Sequence, residues 1–153
     1  MSAILVLLIA AVGCVDADPP DTNPNGLEPP DLTGTWSYEA RLFGPATVCE
    51  VTGVTLTIEQ TGEGTFDGTT DGGTLECIRN GEITPEPLPA FPLEDGNVAA
   101  DGRLIMSFGD RSWRHAGSVA FGGGSMGGET EWEREFPDGE VITLDGDWVA
   151  VRQ

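Results

Sequence analysis

The chain predicts an all-β fold, a small up-and-down antiparallel barrel of about eight strands whose first and last strands pair. Three observations carry this. The stretch Leu32-Thr33-Gly34-Thr35-Trp36 returns near the end as Leu144-Asp145-Gly146-Asp147-Trp148, bracketing a run of short segments. Within that run apolar and polar residues alternate with period two, as they do in strands with one buried face. Gly reaches 22 and Pro 11, and no window long enough for an ordinary helix shows a clean 3.6-residue period, which points to many short strands joined by turns. A barrel that pairs its first strand with its last keeps no open edge. The repeated motif is read as that seam, and 153 residues suffice for one such domain.

The element that precedes the barrel is a targeting segment, residues 1–13. Ala3 to Val12 form an apolar run of ten residues, too short to span a bilayer and suited to a signal h-region. Ala11-Val12-Gly13-Cys14 follows, and small residues before a cysteine resemble the lipobox of bacterial lipoproteins. That resemblance implies cleavage before Cys14 and a lipid anchor on it, an attachment to the membrane and not a span. An ordinary secretory signal with an incidental cysteine is the alternative. From Cys14 to Asp31 the chain is rich in Pro and acidic residues, with nothing to bury, so it reads as an extended, solvated tether. Its end, Leu27 to Leu32, is positioned to plug one end of the barrel.

The barrel domain, residues 32–153, is then read by parity. Trp36, Tyr38, Ala40 and Leu42 share one face of the first strand. Val54, Leu56 and Ile58 share one face of the second, and Thr61 to Gly64 turn the chain into Thr65–Thr70. Asp71-Gly72-Gly73 is a bend before Thr74–Ile78. A segment with four prolines, Glu82 to Leu93, cannot be a central strand and reads as a long loop. It is either a lid or a stiff connection whose Leu88 and Phe91 cap the core. Asn97–Ala100 is a further strand. Leu104, Met106 and Phe108 make one apolar row, and Trp113, His115, Gly117, Val119 and Phe121 another. Glu129, Glu131, Glu133 and Glu135 face outward while Thr130, Trp132, Arg134 and Phe136 face inward. After Val141–Leu144, Trp148, Ala150 and Arg152 share the last inner face.

Charge and chemistry-bearing residues narrow the function. The net charge is −19, from 26 acidic residues against seven Arg and no Lys. Such a surface repels phosphate backbones and anionic headgroups, which excludes nucleic acid as a partner, and keeps the chain soluble. With Cys14 taken by lipid, Cys49 and Cys77 are left to pair, as exported cysteines do. They lie almost equally far from the turn at Gly62-Glu63, the relation of cross-strand partners, and closing this loop contributes roughly 3–4 kcal/mol. His115 is the only histidine. It sits in a strand row, and with no G-x-S-x-G elbow it reads as a core or barrel-lining residue, with no catalytic triad. Asp67–Asp71, Glu94–Asn97 and Asp145–Asp147 do not fit a calcium loop and read as turns. One histidine and a paired cysteine set leave no zinc site. No catalytic residue, metal or cofactor is expected.

At Gly34-Thr35-Trp36, with its Pro-rich lead-in and following meander, the chain resembles the lipocalin (calycin-type) barrels, and among them small bacterial lipocalin-like lipoproteins. The resemblance implies that Trp36 lies across the barrel floor beneath an arginine from the end of the last strand, with Arg152 placed for that role and Arg134 a second candidate. Gly34, Trp36, Gly146, Trp148 and Arg152 are accordingly assigned to seam and floor. The expected function is that of an exported, membrane-anchored protein of the bacterial cell envelope, on the outer-membrane or periplasmic face or at the cell surface. It either binds a small apolar ligand inside the barrel or has a filled barrel and acts as a scaffold or protein-binding inhibitor module. Tyr38, Met106, Phe108, Trp113, His115 and Trp132 share inward parity and are the candidates to line a ligand site.

Overall fold

In the computed structural model, which describes residues 28–153, the Gly34 motif opens the first of ten strands: β1 (Gly34–Gly44), β2 (Thr47–Gln60), β3 (Thr65–Asp71), β4 (Thr74–Arg79), β5 (Glu82–Pro87), β6 (Pro92–Val98), β7 (Arg103–Phe108), β8 (Trp113–Val119), β9 (Ser125–Glu135) and β10 (Val141–Arg152). The signal segment, Cys14 and most of the tether lie outside the described residues. Among the described residues there is no helix. Eight strands close on themselves in the order β1-β10-β9-β8-β7-β6-β3-β2, with β2 returning to β1. All the pairings are antiparallel. First and last strands pair as the sequence predicts, with Trp36 opposite Arg152 and Ala40 opposite Trp148.

The remaining two strands sit outside the ring, because β2 serves two partners. Its second half, Thr55–Gln60, pairs with β3, and its first half, Thr47–Thr52, pairs with β4. The bend at Gly72-Gly73 moves the returning arm from one half to the other. Cys49 and Cys77 fall opposite each other in the β2–β4 ladder and are joined by a disulfide. The Pro-rich segment is less of a loop than its composition predicts. Glu82–Pro87 forms β5, paired only with β4, where proline costs no ladder bond on the free side. Pro92 already belongs to β6. The connection left is Leu88–Phe91, with Leu88 buried and Phe91 half-buried.

Two other expectations are corrected. The Asp-Gly stretches read as turns lie in strands, Asp67–Asp71 in β3, Glu94–Asn97 in β6 and Asp145–Asp147 in the middle of β10. The reason is close approach of neighbouring backbone. A Cβ at Gly146 would meet the Arg41 carbonyl at 1.9 Å. Shifts in pairing register accompany the other two, between Phe66 and Gly68 and between Glu94 and Asn97. Phe121 is not a member of the β8 row; that strand ends at Val119, and Phe121 stands fully exposed in the turn.

Candidate functional site

Parity brings the six inward candidates into one cluster. Tyr38, Met106, Phe108, Trp113, His115 and Trp132 are all buried. Trp113 and Trp132 face each other across the β8–β9 ladder and stack with centroids 4.4 Å apart and planes 11° apart. Tyr38 meets Phe108 and Trp113 edge to face, both at 5.7 Å, arrangements that satisfy the ring quadrupoles. Phe91 from the Leu88–Phe91 connection abuts both stacked indoles. The protein's own rings occupy the middle of the barrel.

Polar groups enter this interior in a few bonded pairs. The Tyr38 hydroxyl and His115 Nε2 lie 2.8 Å apart. Trp113 Nε1 donates to Thr130 Oγ1, which itself donates to the Arg114 carbonyl. His115 Nδ1 has no hydrogen-bond partner. Burial holds His115 down to a pKa of about 3, opposed only slightly by nearby carbonyls of Met106 and Trp113. Burial likewise pushes Tyr38 well above its usual range. Both groups are therefore neutral at physiological pH. A neutral His115 bonded to a neutral phenol forms a buried pair among the barrel's packed rings.

At one end, the Arg152 guanidinium lies over Trp36 at 4.5 Å and donates to the carbonyls of Asp31 and Thr33. Trp36 Nε1 donates to the Leu32 carbonyl, and Leu32 is fully buried. The described part of the lead-in thus closes that end. Of the two arginines implied by the resemblance, Arg152 sits on Trp36, whereas Arg134 sits on Trp132 and Phe136. Gly34 starts β1 beside Arg152. Trp148 packs against Gly117, where a Cβ would stand 3.1 Å from its ring.

The other end carries features that sequence reasoning missed. The β4–β5 hairpin is clasped to β9 and the β9–β10 turn by two arginines. Arg79 pairs with Asp138 and Glu140, and Arg134 pairs with Glu86. Between them lies a cleft of about 300 Å3. Its acids outnumber its two arginines, so the cleft has no free cation to offer an anionic ligand. A larger concavity, about 730 Å3, opens on the outer wall between Phe43 and Ile105 and is bordered by Glu129, Glu131, Asp145 and Asp147. Phe43 shares the outward parity of Glu39 and Arg41 on β1, but nothing local in the sequence joins residues so far apart in the chain. Among the described residues no three His, Cys, Asp or Glu side chains are grouped to hold a metal ion. No protein family, curated protein or solved structure matches this chain.

Proposed function

We propose that this is a non-catalytic, lipid-anchored protein of the cell envelope whose filled barrel acts as a rigid scaffold for binding another protein. The observation that supports this most is the interior. The positions that would line a ligand site are taken up by mutually packed rings around the Tyr38–His115 bond, and an apolar ligand would have to displace side chains that already satisfy one another. The anchor rests on the apolar run and Ala11-Val12-Gly13-Cys14, and the acidic, Pro-rich tether would hold the barrel away from the membrane surface. Leu88 is buried and Phe91 packs against Trp113 and Trp132. The binding surface is therefore sought on the outer wall.

Native mass spectrometry of the protein purified from an exporting host tests the filled barrel. The expected mass is that of the mature chain with its covalent Cys14 lipid and nothing held non-covalently, lighter by the hydrogens lost to the Cys49–Cys77 bond. A reproducible extra mass that leaves on mild denaturation would overturn the reading in favour of a ligand carrier. Fatty-acid labelling that disappears in Cys14→Ser tests the anchor separately, and labelling that persists would remove it.

A further inference from the structure

The outer-wall groove combines exposed apolar side chains with carboxylates. Its two ends are apolar, Phe43 on β1 and Ile105 on β7, 45% and 56% exposed. Between them β9 and β10 set carboxylates directly opposite one another, Glu131 against Asp145 and Glu129 against Asp147. Like charges in facing positions destabilise a sheet. Of these four acids, Glu131 meets Arg114 at 3.5 Å, and the other three form no ion pair among the described residues.

The apolar end does not stop at Phe43. Phe43 faces Val48 on β2, Val48 faces Ile78 on β4, and Ile78 faces Ile83 on β5. Ile78 and Ile83 are 43% and 59% exposed. One cross-strand row therefore runs from acidic to apolar without a break in register. From β7 to β1 the groove crosses four inter-strand spacings, about 19 Å, the length of roughly six extended residues.

We propose that this groove docks a basic segment of a partner protein, one carrying Lys or Arg together with apolar side chains. The inference rests on the protein-binding reading above and names its surface and partner chemistry. Charge complementarity selects the occupant. Cations would relieve the facing carboxylates, and apolar side chains would cover Phe43 and Ile105. A second copy of this chain, with net charge −19, would be repelled, and a bare cation would leave the apolar ends uncovered.

The test titrates the full-length protein with a fluorescent twelve-residue peptide of alternating Lys and Leu. A Lys/Ser peptide of equal charge and a Glu/Leu peptide are the comparisons. The Lys/Leu peptide is expected to bind best. Its affinity should fall by about tenfold or more when Glu129→Gln, Glu131→Gln, Asp145→Asn and Asp147→Asn are combined. A charge-matched variant across the barrel, Glu59→Gln, Glu63→Gln, Asp67→Asn and Asp71→Asn, should change it by less than about twofold if binding is local. Ile105→Ser, at an exposed site, should also weaken it. Equal loss in both charge variants, or equal binding of the Lys/Ser peptide, would reduce the effect to general polyanion attraction and overturn the groove. So would the absence of Lys/Leu binding. Those results would leave the filled barrel standing, whereas a bound ligand mass would overturn the protein-binding reading itself.

Discussion

In the Tyr38–His115 bond, each is the other's only side-chain hydrogen-bond partner among the described residues, inside a barrel where neither can turn to water. Removing one partner of such a bond strands the other, so Tyr38→Phe alone should cost about 1–3 kcal/mol. Tyr38→Phe with His115→Phe removes both polar groups and should cost less than the two single changes added together. A double-mutant cycle in denaturant measures the difference, and zero coupling would show that the bond contributes nothing. Titration follows from the same burial. An unfolded chain protonates His115 near 6.5, and the folded chain refuses the proton until about pH 3. Between those values the unfolded state binds more protons, so stability rises with pH and is lost as pH falls through that window. The loss specific to this residue approaches about 1.4 kcal/mol per pH unit. Subtracting the unfolding free energies of His115→Phe from those of the unaltered protein, from neutral pH downward, isolates it. Parallel curves would mean that protonated His115 is accommodated in the fold. The position of His115 on an inward row was legible from alternation. Its bond to Tyr38, seventy-seven residues away in the chain, was not, because parity says which face a side chain takes and nothing of what lies opposite.

Among the elements, β2 and the β4–β5 hairpin depart furthest from a simple meander. Strand parity identified both arms around the Gly62-Glu63 turn. It could not show that the arm stays on β2 past Gly72-Gly73 while its outer neighbour changes from β6 to β5, since alternation along one strand says nothing of what flanks it. The mid-strand glycines were misread for a related reason. Asp-Gly favours turns locally, whereas Gly146 answers to the Arg41 carbonyl on another strand. The hairpin is held to the barrel by the disulfide and by the arginine clasp. Replacing Cys49 and Cys77 with Ala should lower stability by about 3–4 kcal/mol, as expected for freeing a loop of this length in the unfolded chain. Thermal or denaturant unfolding reads that directly, and an unchanged midpoint would show that the loop is constrained by other contacts. Arg79→Gln acts on the folded state instead. Losing its bonds to Asp138 and Glu140 should speed hydrogen exchange in β4 and β5, while β1, β9 and β10 keep their protection. Uniform acceleration would mean that the hairpin and the barrel open as one unit.

For the whole molecule, closure and charge pull in opposite directions. The ring of eight strands buries a continuous core and leaves β5 as an edge outside it, carrying Pro85 and Pro87 that discourage further pairing. The acidic excess was plain in the composition, but its arrangement was not. Residues 43, 114, 131 and 145 become neighbours only through the barrel's register. Most of the carboxylates lack a cation, because 26 acids share seven arginines. The ion pairs Arg41–Glu50, Arg103–Asp101 and Arg111–Asp95 are largely exposed on both sides, and such pairs are each worth at most about 1 kcal/mol. Screening therefore takes away little attraction and much repulsion. Raising NaCl from about 0.01 M to about 0.5 M shrinks the Debye length from roughly 30 Å to a few ångströms and should raise the melting temperature by several degrees, at about 2–4 °C per kcal/mol for a chain of this size. The variant neutralised at Glu129, Glu131, Asp145 and Asp147 should show a smaller rise, since its facing charges are already gone. A melting temperature that falls with salt would mean that the ion pairs outweigh the self-repulsion. An equal rise in that variant would mean that the repulsion is spread over the whole surface and is not concentrated at the groove.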